Sequence, residues 1–209
     1  MKALLIFLVS CVGMVAASMP EFPVNRVNNY PGLKAWFKEA AHTVAAFEME
    51  RTMPSGRVLK SRGTFEFRRG EGMMWRTEHP VRNAMVITPE TLLVYDARGR
   101  ELRRNSLKGA AAARYTGLFM NEMKPEDMKQ LERAFTITSR ADTQAACLVV
   151  GMKARHASND LRWLLFVVRR GMLEHVYYES ARQGMTHVTF SKVCLSEKLP
   201  TEPFAVTKR

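Results

Sequence analysis

Across residues 63–80 the large apolar side chains Phe65, Phe67, Met73 and Trp75 fall on odd positions, while Glu66, Arg68, Arg76 and Glu78 take even ones. Successive side chains of an extended strand point to opposite faces, so this pattern gives one face to a core and the other to charge. A helix does not satisfy it, because a helical stripe needs a spacing of three or four. The break at Gly70-Glu71-Gly72 makes the stretch a hairpin rather than one long strand. Arg69 shares the parity of the apolar residues. A guanidinium on an apolar face is costly unless hydrogen-bonded, so two readings stand: Arg69 faces inward with a partner, or it lies in the turn and reaches solvent.

The same period recurs along the chain. From Ala45 onward Phe47, Met49 and Arg51 alternate with Glu48 and Glu50, and Met53-Pro54-Ser55-Gly56 closes the run with a turn. Further strands are expected at 59–69, 73–78, 84–88 and 91–96, and again at 135–139, 145–153, 161–169, 173–179 and 185–193. Three stretches differ. In residues 33–41, Leu33, Trp36, Phe37, Ala40 and Ala41 recur at helical spacing; 110–120 also reads as helical; and 126–133 follows Pro125, a residue favoured in a first helical turn. The order predicts an α+β domain: an open antiparallel β-barrel, or half-barrel, of about ten or eleven strands, with helices available to cover its apolar face.

The first residues do not fit such a domain. Lys2, a mostly apolar run and the small residues Ala16, Ala17 and Ser18 follow the order of a secretory signal peptide. Residues 1–18 are therefore expected to be cleaved, leaving 19–209 as a single domain. The run is shorter than the roughly 20 apolar residues that a membrane span needs. Leu8-Val9-Ser10-Cys11 also resembles a lipobox, in which Cys11 would become a lipidated first residue. No later stretch is apolar enough to cross a bilayer, so the expected location is a periplasm.

Export changes the meaning of the charge and the cysteines. The chain carries a formal charge of +12 and 3 Cys; cleavage removes Lys2 and Cys11, leaving Cys147 and Cys194 as an even pair where disulfides form. Joined, they would stabilise the fold by about 4 kcal/mol in the chain-entropy account; the alternative is two buried free thiols on neighbouring strands. Arg98, Arg100, Arg103, Arg104 and Lys108 cluster around one hairpin. Export argues against nucleic acid as their partner, leaving anionic lipid headgroups, an acidic protein or plain solvation.

Signs of catalysis are missing. The sequence has no GxSxG, HExxH, CxxC or GxxxxGK[ST] pattern, and its five His are scattered. With 46% hydrophobic and 25% charged residues the chain reads as a folded binding protein rather than a disordered one. No enzyme activity, metal or cofactor is expected.

The run GTFEFRRGEGMMWRTEHP, followed by AMVITPETLLVYDARGRE, resembles the core signature of LolA, the family of periplasmic outer-membrane lipoprotein carriers. The resemblance covers residues 30–206, and its layout is shared with LolB-type receptors and a sigma-factor regulator. It implies an α-helical lid over an apolar cavity that holds acyl chains. By position, Arg69 matches the family's inward arginine, which bonds to the lid and keeps the empty cavity shut. Met73 and Trp75 match its apolar lining. Two departures stand out: Gly70 occupies a place where the family usually has Pro, and the carrier's extra C-terminal segment has no counterpart after Pro203-Phe204-Ala205-Val206. The wording around Met74-Trp75-Arg76-Thr77 is closer to LolA-like paralogues found with lipid or aryl-polyene biosynthesis genes.

The physics of a lipid carrier agrees. Moving an acyl chain of about a dozen methylenes into water costs on the order of 10 kcal/mol, so a carrier needs an apolar cavity of comparable reach. Methionine refits irregular apolar shapes, which makes Met49, Met73, Met85 and Met120 candidate lining residues. The full expected ligand-binding set is Phe65, Phe67, Met73, Trp75, Met85, Tyr95, Trp36, Phe119 and Met120, with Arg69 closing the lid. The expected protein is a monomeric carrier that takes an acylated lipoprotein or lipid from an inner-membrane donor complex to an outer-membrane acceptor. A lipoprotein-sensing regulatory module and a LolB-like anchored receptor are the alternatives.

Overall fold

The computed structural model describes residues Glu21, Pro23, 41–107, 125–142, 144, 146–156 and 160–206. Six strands form the first half: β1 (His42–Thr52), β2 (Val58–Arg68), β3 (Gly72–His79), β4 (Asn83–Ile87), β5 (Thr91–Asp96) and β6 (Glu101–Ser106). One helix, α1 (Pro125–Ala134), precedes five more: β7 (Phe135–Asp142), β8 (Cys147–Ala154), β9 (Leu161–Arg169), β10 (Met172–Ser180) and β11 (Gly184–Ser196). The expected strands are all present with ends shifted by a few residues. The addition is β6, whose sequence ELRRNS holds a single apolar side chain, the 64% exposed Leu102. Charged side chains on a terminal strand block further pairing, which is why β6 has no alternation to read.

All eleven strands belong to one antiparallel sheet with the order β6-β5-β4-β3-β2-β1-β11-β10-β9-β8-β7. Each half is a meander, since neighbours in sequence are neighbours in space. The halves meet where β1 pairs with β11, from His42 opposite Ser196 to Thr52 opposite Met185. The sheet is open: β6 and β7 are edges and do not pair with each other. Between Ser106 and Phe135 the chain passes from one edge to the other, and α1 lies on that passage.

Cross-strand partners share a face, so the register sorts the side chains. The inner face carries one continuous apolar cluster of Ala45, Phe47, Phe65, Phe67, Val150, Met152, Leu164, Phe166, Val188 and Phe190. Helix α1 adds Leu131, only 2% exposed, and Ala134 packs against the same cluster. The outer face has its own small cluster of Val149, Leu165, Val167 and Tyr177. The expected helices at 33–41 and 110–120 lie outside the described residues, as do the leader and Cys11. Among the described residues, no helix is long and apolar enough to cross a membrane.

Cys147 and Cys194 do not form the disulfide that their number allows; both are free. Cys147 opens β8 and Cys194 lies on β11, with β9 and β10 between them. Three strand spacings separate the two strands by about 14 Å, twice the roughly 7 Å that a disulfide tolerates between Cα atoms. They are not neighbours, and Cys194 is exposed.

Candidate functional site

On the inner face three buried phenylalanines pack against the half-buried Trp75. Its ring meets Phe47 edge-on at 5.0 Å between centroids and lies 4.7 Å from Phe65 and 5.9 Å from Phe190. Phe65 in turn lies 5.2 Å from Phe190. Register explains the gathering: Trp75 is opposite Phe65 on β2 and Met85 on β4, and Phe47 is opposite Phe190 on β11. Offset and edge-on pairs of this kind add to the burial of the rings.

Phe65 and Phe67 are buried, at 7% and 4% exposure, whereas Met73, Trp75 and Met85 are half-buried. Met49, Met73, Trp75 and Ile87 are half-buried around the cluster rather than inside it. The face therefore ends in a flexible, sulfur-bearing and aromatic rim. Tyr95 does not belong to it. It is opposite Ala84, which is opposite Arg76, so Tyr95 lies on the outer face; one intervening position reverses the direction of a strand side chain. Trp36, Phe119 and Met120 lie outside the described residues.

Two arginines define the polar limits of this arrangement. Arg51 shares the inner face with Phe47 and Met49, and its Nε donates to Thr186 Oγ1 at 3.1 Å while Nη2 donates to the Tyr178 hydroxyl at 3.4 Å. These neutral partners lower the cost of a cation beside an apolar surface. Arg69 lies past the end of β2, half-buried, with its amide donating to the Ala41 carbonyl at 2.8 Å. Gly70 follows at φ +77°. Proline holds φ near −65°, so the turn after Arg69 has a backbone that the family's usual Pro does not adopt.

The residue that sequence reasoning missed is Arg68. Its even position put it on the charged face, yet it is 4% exposed. Glu66 Oε1 accepts from Arg68 Nε and Nη2, both at 2.7 Å, and lies 3.1 Å from His42 Nε2. The chain after β11 crosses this outer face: Arg68 donates to the Glu202 carbonyl and stacks 4.3 Å over the Phe204 ring, and Arg76 donates to the Ala205 carbonyl. Met74, on the same face, is 2% exposed. A methionine among charged residues was the available signal that this face is covered.

The basic hairpin is partly neutralised. Arg100 Nε lies 2.7 Å from Asp96 Oδ2, and Arg104 Nη2 lies 2.6 Å from Glu101 Oε2. The Arg100 amide, above all, holds the Asp96 carboxyl below its usual range, and the Arg104 side chain does the same for Glu101. Lys108 lies outside the described residues. No group of three or more His, Cys, Asp and Glu suited to a metal ion occurs among the described residues.

The family model of the outer membrane lipoprotein carrier protein LolA matches residues 39–207. No curated protein matches by sequence. Among solved structures, the LolA superfamily protein NE2245 from Nitrosomonas europaea is similar at 9% identity and a TM-score of 0.37, covering 80% of this chain and 94% of that one. A putative outer membrane lipoprotein-sorting protein domain from Vibrio parahaemolyticus is similar at 10% identity and 0.43, covering 81% and 91%. The MucA/MucB complex structure from Pseudomonas aeruginosa is similar at 14% identity and 0.42, covering 81% of this chain and 59% of that one.

Proposed function

This chain belongs to the LolA family of outer membrane lipoprotein carriers, and from that premise we propose that it is a non-enzymatic periplasmic carrier. It binds the acyl chains of a lipoprotein or related lipid and moves them from the inner to the outer membrane. The observation that carries this reading is the rim of half-buried Met49, Met73, Trp75 and Ile87 around a buried aromatic cluster on an open sheet. An acyl chain of about a dozen methylenes needs on the order of 10 kcal/mol of apolar contact to leave a membrane. Methionines and a tryptophan at the edge of a core provide contact that refits on binding and release. In this reading residues 1–18 are removed on export, and the segment joining the two sheet edges closes over the inner face with Arg69 as its latch.

Brominated acyl chains test it through tryptophan fluorescence. Trp163 donates to Glu179 at 2.6 Å, and that carboxylate shares its face with Tyr177, so in a Trp36→Phe background quenching at the inner face reports on Trp75. Saturable quenching that Trp75→Phe removes is expected, and Arg69→Leu should speed exchange of the bound chain several-fold. Quenching that survives Trp75→Phe in full would place the chains elsewhere. Unchanged exchange in Arg69→Leu would end the latch role.

A further inference from the structure

A cavity of about 420 Å³ opens at the end of the inner face where β9 turns into β10 and β11 passes β1. Its floor is apolar: Leu173 and Phe190 belong to the inner cluster, and Val193 packs against it. Its rim is cationic. Arg169 is neutralised by Glu174, with Nε 2.8 Å from Oε2. Arg170 and Lys192 also line the cavity, and among the described residues neither has an acidic partner. The rim thus keeps two uncompensated positive charges over a floor continuous with the aromatic cluster.

The backbone aims these two cations in an unusual way. Among the described residues three that are not glycine have positive φ, and two of them are Arg170 at 51° and Lys192 at 52°. Arg170 sits in the β9–β10 turn, where its amide donates to the Ala146 carbonyl. Lys192 sits where the register of β11 against β1 shifts, with two residues facing Ala45. Such a bulge redirects a side chain at a sheet edge or a site, and left-handed backbone at a lysine or arginine persists only where the surroundings hold it. Phe190 faces inward before the shift and Val193 after it, so the bulge keeps the floor apolar while Lys192 stands at the rim.

We propose that this cavity binds the anionic, phosphate-bearing head of an acyl lipid whose chains lie on the inner face. The inference rests on the carrier reading and narrows its cargo. A forked guanidinium and an ammonium match the oxygens of a phosphate, and a neutral acyl ligand leaves both charges without a counterpart. Arg51, at the far end of the inner face, has its donors directed to Thr186 and Tyr178, so the free cationic end is the one with the cavity.

The test is transfer of fluorescent lipid from vesicles to the full chain, with phosphatidylglycerol and phosphate-free diacylglycerol of identical acyl chains. Each basic residue near an anionic lipid strengthens binding several-fold, so two cations should favour phosphatidylglycerol by about thirtyfold. Asparagine tolerates left-handed backbone, so the double variant Arg170→Asn, Lys192→Asn keeps the turn and bulge, and circular dichroism confirms its fold. That variant should lose the preference, and Arg170→Lys with Lys192→Arg should retain most of it. Equal uptake of both lipids by the unaltered protein, or an undiminished preference in the asparagine variant, would overturn the head site while leaving the carrier reading intact. Failure to take up either lipid would overturn the carrier reading and the head site with it. Glycerol phosphate competing as well as the whole lipid would show a site for free phosphate and refute the lipid assignment.

Discussion

Arg68 and Arg69 are consecutive yet live in different surroundings. Arg69 begins a turn and is half-buried, whereas Arg68 ends β2 under the returning C-terminal segment, in contact with Glu66, Phe204 and the Glu202 carbonyl. Removing one member of a buried ion pair leaves the other charged and desolvated, which is worse than never having had the pair. Glu66 keeps His42 Nε2 at 3.1 Å, so the carboxylate retains one hydrogen-bond partner. Arg68→Leu should therefore destabilise the fold by about 2–3 kcal/mol, read as a lower urea midpoint. Arg68→Lys should recover only part of the loss, since one ammonium does not reproduce two guanidinium contacts to Glu66. Wild-type stability in Arg68→Leu would show that the pair contributes nothing net.

At the scale of elements, turns and bulges decide where the strands point. Gly70 holds φ at +77° with open space around its missing Cβ. Sterics therefore allow a side chain and the backbone alone opposes it, so Gly70→Ala should cost about 1 kcal/mol. Gly70→Pro should cost more, because the ring forbids the conformation altogether. Chemical denaturation of the two variants gives the order; a proline variant as stable as the parent would show that the turn converts freely to the family's usual form. The same logic explains the strand that alternation did not reveal. β6 is an edge, its charges face solvent, and edge strands obey a rule against pairing rather than a rule of alternation.

For the whole molecule, the pairing of β10 with β11, next to the seam between the two meanders, sets a dependence on pH. On the outer face His187 Nε2 and His175 Nδ1 lie 3.2 Å apart, and His187 stacks on Tyr177 at 4.1 Å. Burial pushes both imidazoles below their ordinary value; Arg169 lowers His175 further and His175 lowers His187, while Glu174 and Glu50 oppose the shifts. The unfolded chain then binds more protons than the folded one below the ordinary histidine value of about 6.5. The stability these groups contribute is full above that value and declines as pH falls toward their lowered folded values. Thermal melts from about pH 7.5 down to about pH 5 should show a falling Tm, and His175→Gln with His187→Gln should flatten that part of the curve. An unchanged slope in the double variant would assign the dependence to other groups.

Much of this architecture was legible beforehand because period-two alternation is a local property. Phe65, Phe67, Met73 and Trp75 share one face by parity alone, and the strands at 91–96 and 161–169 were read to their ends. Tyr95 failed the same test, since its register across β4 and β3 depends on which residues pair, not on its own neighbours. Cys147 and Cys194 could be counted but not placed, because the distance between them is set by strand order. The cover over Arg68 and Met74 was hidden for a related reason: outward parity distinguishes the two faces of a sheet and says nothing about what lies on them. The sequence by itself determined a long antiparallel sheet with one aromatic and methionine-rich face, because alternation and turn residues act over a few positions. Only the tertiary structure decided that β6 and β7 are the edges of the open sheet, that its charged face lies under the C-terminal segment, and that Arg170 and Lys192 stand together over an apolar floor, because those facts depend on pairings between residues far apart in the chain.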